Sequence, residues 1–142
     1  MYDRILFATD GTETATVAST HAIDIASRRD ADLAVISVVD DRAFLVLDDD
    51  RVESVRADLR VEAREAAETA VTAAAEEGVD AESIVDTGNP AECILEQSAE
   101  LDADLIVMGT SGDSYETNVV GSVSERVVRT ASVPVLTVGP RE

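Results

Sequence analysis

Apolar positions along this chain recur by turns at every second residue and at every third or fourth, the mark of strands and helices following one another in βαβ units. Arg4 to Ala8 (RILFA) reads as a buried strand, followed by a turn at Asp10-Gly11-Thr12. A helix is expected from about Thr14 to Arg29, with a stripe at Val17, Ala18, His21, Ala22 and Ile25. Leu33 to Val39 (LAVISVV) is a second strand. Asp40 to Asp50 reads as an irregular link holding the apolar run Ala43 to Leu47. A long alanine-rich helix then spans Val52 to Glu77, with i, i+4 charged positions such as Arg60 and Arg64 read as a pair, and Gly78 ends it. Ala81 to Asp86 is a more polar strand, suited to an edge. Asn89-Pro90-Ala91-Glu92 has the form of a helix start: an Asn cap, Pro at the first position and Glu at the third. That helix carries Ala91, Ile94, Leu95 and Ser98 on one side and ends before Asp104. Leu105 to Met108 is a fully apolar strand, and a loop from Gly109 to Gly121 leads to a helix at Ser122 to Thr130. Pro134 to Val138 closes as a fifth strand.

Five strands joined by four helices imply one α/β domain over residues 1–142, in three layers, with a parallel sheet covered on both faces. Right-handed crossovers make 3-2-1-4-5 the natural strand order. Ligands of open α/β sheets bind beyond the strand carboxyl ends where that order reverses. Here the reversal falls between strands one and four, which end in the two most loop-like glycine segments, Thr9-Asp10-Gly11-Thr12 and Gly109 to Gly121.

Composition narrows the setting. The 142 residues fit one domain with a real core, and 45% hydrophobic residues argue against disorder. Mean hydropathy is +0.03, and no apolar run approaches the roughly 18 residues of a spanning helix. Without a charged-then-apolar leader, a cytoplasmic location is expected. One cysteine excludes a disulfide framework and a multi-thiolate metal site. Thirty acids face eleven bases, all arginine, for a net charge of −19. Such self-repulsion destabilises a compact chain unless salt screens it, so the composition reads as that of a halophilic, acidic proteome. An acidic surface for a basic partner is the alternative. Nucleic acid is a poor partner, since no basic patch exists and aromatics are 3%.

The second glycine segment reads Gly109-Thr110-Ser111-Gly112, then eight residues, then Gly121-Ser122. Glycines let backbone N–H groups converge on an anion, the following helix start adds its own donors, and Ser122 and Ser124 can add hydroxyls. A tight strand–loop–helix turn with incidental glycines would look the same. The segment lacks the lysine of a Walker loop and the GxGxxG of a dinucleotide site.

The stretches LFATDGTETA, ISVVD, GNPAECILEQSAELDADLIVMGTSG, GSVSERVVR and VPVLTV together resemble the universal stress protein family over nearly the whole chain. The family's nucleotide-binding branch shows G-x2-G-x9-G-[ST] after the fourth strand. The resemblance implies that Asp10 holds adenine, with Val38 beside the adenosine. It implies that Gly109, Gly112, Gly121 and Ser122 line ribose and phosphates, helped by Thr9, Thr12, Val123 and Ser124. ATP or AMP would be the ligand, with Mg²⁺ accompanying the phosphates. Three departures stand out: the second gap is eight residues, Asp113 replaces a common basic residue, and Ser111 stands where histidine is frequent. Asp113 and Glu116 would repel a triphosphate unless a cation intervened, which touches triphosphate binding more than adenosine binding.

The reading that follows is an adenine-nucleotide-binding stress-response regulator. A nucleotide-free dimeric interaction module and a slow Mg²⁺-dependent hydrolase remain open beside it. No Ser-His-Asp order or cysteine–histidine pair emerges, so no catalytic residue and no fixed metal site is assigned. Asp10 as a phospho-acceptor would want further acids at the end of the first strand, where Ile5, Leu6 and Phe7 stand. His21 is expected to be a packed, hydrogen-bonded histidine, and Cys93 an inert small hydrophobe in spite of its place early in a helix. Asp48-Asp49-Asp50 reads as a solvated run starting the long helix rather than a cation site. Ala43 to Leu47 suits edge packing, a lid or a partner contact equally. Pro134 to Val138, apolar and at a sheet edge, is expected to pair with its own copy in a homodimer, as the resemblance also implies.

Overall fold

Runs of β-branched and aliphatic residues set the frame. The computed structural model describes residues 1–45, 47–110 and 121–140. Strand β1 (Arg4–Ala8) leads to α1 (Glu13–Arg29), β2 (Asp32–Asp40), a 3₁₀ turn (Asp41–Phe44) and α2 (Asp49–Glu76). Then follow β3 (Ala81–Gly88), α3 (Pro90–Glu100), β4 (Leu105–Gly109), α4 (Ser122–Thr130) and β5 (Val135–Val138). The sheet runs β3-β2-β1-β4-β5 with every neighbouring pair parallel, as the strand pattern implied.

Alternation along the strands divides the core in two. Ile5, Phe7, Leu33, Val35, Leu105 and Val107 point to the face covered by α1 and α2. Leu6, Ile36, Ile106 and Met108 point to the face covered by α3 and α4. Phe7 is 1% exposed, and its burial contributes roughly 1.5–3 kcal/mol. The helices meet the sheet largely through alanine. On α2 the buried positions are Ala63, Ala67, Ala70 and Ala74, and on α1 they are Ala15, Ala18, Ser19, Ala22, Ile23 and Ala26.

The expected stripe on α1 holds at Ala18 and Ala22 and is otherwise corrected. Small residues let the helix lie close, so its sheet-facing line passes through the alanines, while Val17 and Ile25 are half-buried at the margins. His21 is exposed and is not the packed histidine that was expected. On α3 the same preference buries Cys93 and leaves Leu95 half-buried. Arg60 and Arg64 do not pair, both being cationic; Arg60 turns instead to Thr87.

Helix ends follow their local chemistry. Asn89 Oδ1 accepts from Glu92 N–H at 3.1 Å and Pro90 occupies the first turn of α3, as expected. Gly78, at φ +75°, stops α2, with Val79 N–H donating back to the Ala74 carbonyl at 2.9 Å. Asp30 and Asp102 adopt the same left-handed conformation after α1 and α3. Asp49 and Asp50 fall in the first turn of α2, where carboxylates favour the helix dipole. The link before α2 is shorter than expected. In it Phe44 is half-buried, Leu45 is 79% exposed, and Val46 lies outside the described residues. Strand β3 runs two residues past Asp86 and does lie at an edge. No described helix is long and apolar enough to cross a membrane.

Candidate functional site

The chain leaves β1 for α1 on one face and reaches α4 on the other face after β4, although β1 and β4 are paired neighbours. That divergence opens a crevice beyond their carboxyl ends. On one side stands the β1–α1 loop. Thr9 N–H donates to the Ile36 carbonyl at 2.9 Å, extending the ladder by one residue. Thr9 Oγ1 accepts from Gly11 N–H at 3.1 Å. Gly11 sits at φ +79°, a left-handed turn that favours glycine, and a Cβ there would lie 3.4 Å from Ala66 Cβ on α2.

Asp10 is exposed, and its Oδ1 accepts from both Thr12 N–H (3.0 Å) and Thr12 Oγ1–H (2.6 Å). Thr12 Oγ1 in turn accepts from Ala15 N–H at 3.3 Å and caps α1. One carboxylate oxygen is thus committed to the loop, and Asp10 and Thr12 form a single relay into the helix start. Thr12 serves this relay with both its donor and its acceptor. Val38 is half-buried two residues beyond Ile36, where β2 continues past the end of β1 and walls the same opening.

The opposite side is closed by backbone. Thr110 N–H donates to the Val138 carbonyl at 3.0 Å, and the Thr110 carbonyl accepts from Gly121 N–H and from Ser124 Oγ at 2.9 Å. Ser124 Oγ also lies 3.0 Å from the Gly121 carbonyl. The two ends of the connection between β4 and α4 are therefore tied together. Ser124 is 2% exposed, so its hydroxyl braces this closure. Ser122, at the first position of α4, is exposed, while Gly121 and Val123 are half-buried. Gly109 fits tightly: a Cβ there would lie 2.9 Å from Thr14 Cγ2. Gly112, with Ser111, Asp113 and Glu116, lies outside the described residues.

Thr9, Asp10, Thr12, Val38, Gly109, Gly121, Ser122, Val123 and Ser124 thus gather at one end of the sheet. Sequence reasoning missed Thr14, whose methyl packs on Gly109, and Thr110, whose carbonyl joins the two loop ends. Neither leaves a motif, the one being a close approach and the other a main-chain group. Two cavities of about 410 and 400 Å³ open at the other end of the sheet, lined by residues such as Arg4, Asp32 and Asp80, or Ser98, Asp102 and Thr130. They lie at strand amino ends, away from the point of divergence, and the crevice remains the better candidate. Burial pushes the Cys93 thiol up to about 11, with the Asp86 carboxylate adding to it, which fits an inert buried thiol.

A doubly wound parallel sheet with a crevice at the reversal of strand order defines a class of ligand-binding α/β domains. Within that class the chain belongs to the universal stress protein family, whose model matches residues 1–139. It is 39% identical to the universal stress protein MJ0531 of Methanocaldococcus jannaschii, over 97% of this chain and 82% of that protein. Its fold matches that of the hypothetical protein MJ0577 with a TM-score of 0.89 and 26% identity, covering 100% of this chain and 99% of the other. A universal stress protein solved in complex with cAMP matches with a TM-score of 0.74 and 25% identity, covering 99% of each chain.

Proposed function

We propose that this chain binds an adenine nucleotide, ATP or AMP, in the crevice between the β1–α1 loop and the β4–α4 connection, and acts as a homodimeric stress-response regulator in the cytoplasm. Asp10 would hold the base, with Thr9, Thr12 and Val38 around the adenosine. Gly109, Gly112, Gly121, Ser122, Val123 and Ser124 would form the ribose and phosphate side, Ser124 by bracing the loop. Mg²⁺ would come with the phosphates. Among the described residues no group of three or more His, Cys, Asp or Glu side chains stands ready to hold a metal.

The observation that carries this reading is the crevice opened where β1 and β4 part, with the exposed Asp10 carboxylate on one wall and the tied ends of the β4–α4 connection, Thr110 and Gly121, on the other. The cAMP complex of a family member supports the choice of adenine. For the dimer, the supporting observation is that β5 lies at a sheet edge with Val135, Leu136 and Val138 only half-buried. The test is to denature protein purified in high salt and chromatograph the supernatant. Adenine nucleotide near one per chain is expected; its absence, together with no rebinding of added AMP or ATP, would favour a nucleotide-free module.

A further inference from the structure

The cavity of about 400 Å³ at the amino ends of the strands lies where α3 and α4 both finish. Leu95, Ser98 and Ala99 line it from α3, and Thr130 and Ser132 line it from the end of α4 and the link to β5. Asp102 and Ala103 border it from the turn that leads to β4. Ser98 is 7% exposed. Its hydroxyl makes no hydrogen bond to the described residues, whereas the buried Ser19 and Ser124 hydroxyls each donate to a carbonyl, at 2.6 and 2.9 Å. The Ser98 hydroxyl is not sealed off, since Arg56 Nε is the only fully occluded side-chain polar atom without a partner among those residues. It therefore opens on the cavity with its hydrogen-bonding capacity unused.

The surroundings are negative. A helix C-terminus carries roughly half a negative charge on its last carbonyls. Two such ends border the cavity, and the charged side chain in its lining is the Asp102 carboxylate. No basic side chain among the described residues lines it. The last turn of α3 holds no basic residue, and Arg129 in the last turn of α4 is spent on Glu125. The neighbouring cavity differs in this respect: Arg4 lines it, and Arg4 Nη1 donates to the Leu101 carbonyl at the α3 terminus at 2.9 Å. A bare ion would leave most of the space unfilled, for a single water takes only about 30 Å³. Leu95, Ala103 and Val133 give the remainder apolar walls. Acceptors and negative charge beside apolar walls fit an ammonium group carried on a short aliphatic stem.

We infer that this cavity is a binding site for an aliphatic ammonium ion, with Ser98 Oγ, the Asp102 carboxylate and the last carbonyls of the two helices as its acceptors. The cavity lies at the opposite end of the sheet from the nucleotide crevice, so the site stands whether or not that crevice takes a nucleotide.

The test titrates the whole chain with n-butylammonium chloride at an ionic strength held constant by KCl, and follows the backbone amide signals. Those of Ser98, Asp102, Ala103 and Ser132 should shift saturably. Uncharged n-butanol, of the same length, should leave them in place. Asp102→Asn puts in a residue that tolerates the left-handed backbone there, at φ +53°, and should weaken binding about tenfold by removing the charge. Ser98→Ala suits the helix and should weaken binding several-fold. Signals that do not saturate would overturn the site, as would an equal response to the alcohol, which needs no charge. Shifts undiminished in both variants, or spread evenly over the acidic surface, would also overturn it, because net charge alone would then be holding the cation.

Discussion

Replacing Gly109 with alanine places a carbon 2.9 Å from Thr14 Cγ2, roughly 0.6 Å inside the ~3.5 Å at which two carbons rest. Neither partner yields easily. Thr14 is β-branched and stiff about χ1, and the next atoms met, Ala15 N and Thr14 C at 3.5 Å, are the backbone of α1 itself. Overpacking of this kind costs about 1–3 kcal/mol, offset by ~0.4–1 kcal/mol from a less flexible unfolded chain. A net loss of about 1–2 kcal/mol is expected for Gly109→Ala. Thr14→Ser removes the methyl that clashes, costing by itself no more than ~0.8 kcal/mol. The double variant should then be more stable than the sum of the two by about 1 kcal/mol. Urea unfolding at fixed molar KCl reads all three, with an unchanged m-value showing that the unfolded state is the same. A Gly109→Ala chain as stable as its parent, or two variants whose effects simply add, would refute the close approach of β4 to α1 that shapes one wall of the crevice.

Asp10→Ala should lower stability by about 1–2 kcal/mol by removing the acceptor of two Thr12 donors, whereas Asp10→Asn keeps that acceptor and should lose only about 0.5 kcal/mol of helix-dipole stabilisation. Both should weaken AMP binding by roughly 1–3 kcal/mol, read by calorimetry, and unchanged affinity in both would remove Asp10 from the site. Leu136→Lys should convert the proposed homodimer to monomer in sedimentation at molar KCl, since it would place two like charges across a two-fold axis; a parent already monomeric contradicts the proposed interface. Cys93 should resist alkylation at pH 8, because burial holds its thiol protonated up to about 11. Since the unfolded thiol ionises first, near 9, stability should fall as pH rises from about 9 through 11, and Cys93→Ala should flatten that decline by about one proton; identical slopes would refute the burial effect.

Strands were easiest to read from the chain, because runs such as LAVISVV and LIVM have no other stable use in a covered parallel sheet. Helix faces were harder. On α1 the expected stripe held at Ala18 and Ala22, but Ala15 and Ala26 extend it in place of the half-buried Val17 and Ile25, and His21 was left in solvent. The end of β3 escaped because Thr87 and Gly88 join the ladder by pairing with Val39 and Asp40, a tertiary fact without local signal. At the crevice, side chains that follow β1 were legible from position alone. The closure of the opposite loop was not, since it runs through the Thr110 carbonyl, and the sequence could not show that Ser124 is spent on it. Arg60 and Thr87 are 27 residues apart and share no motif.

An adenine nucleotide in the crevice beyond β1 and β4 is the proposal on which the proposed function depends. Calorimetric titration of AMP, and separately ATP, into nucleotide-stripped protein in molar KCl tests it most directly. Saturable heat with one nucleotide per chain, weakened in Asp10→Ala, is the result predicted. No heat with either nucleotide, from protein that is folded and elutes as a single species, would contradict it.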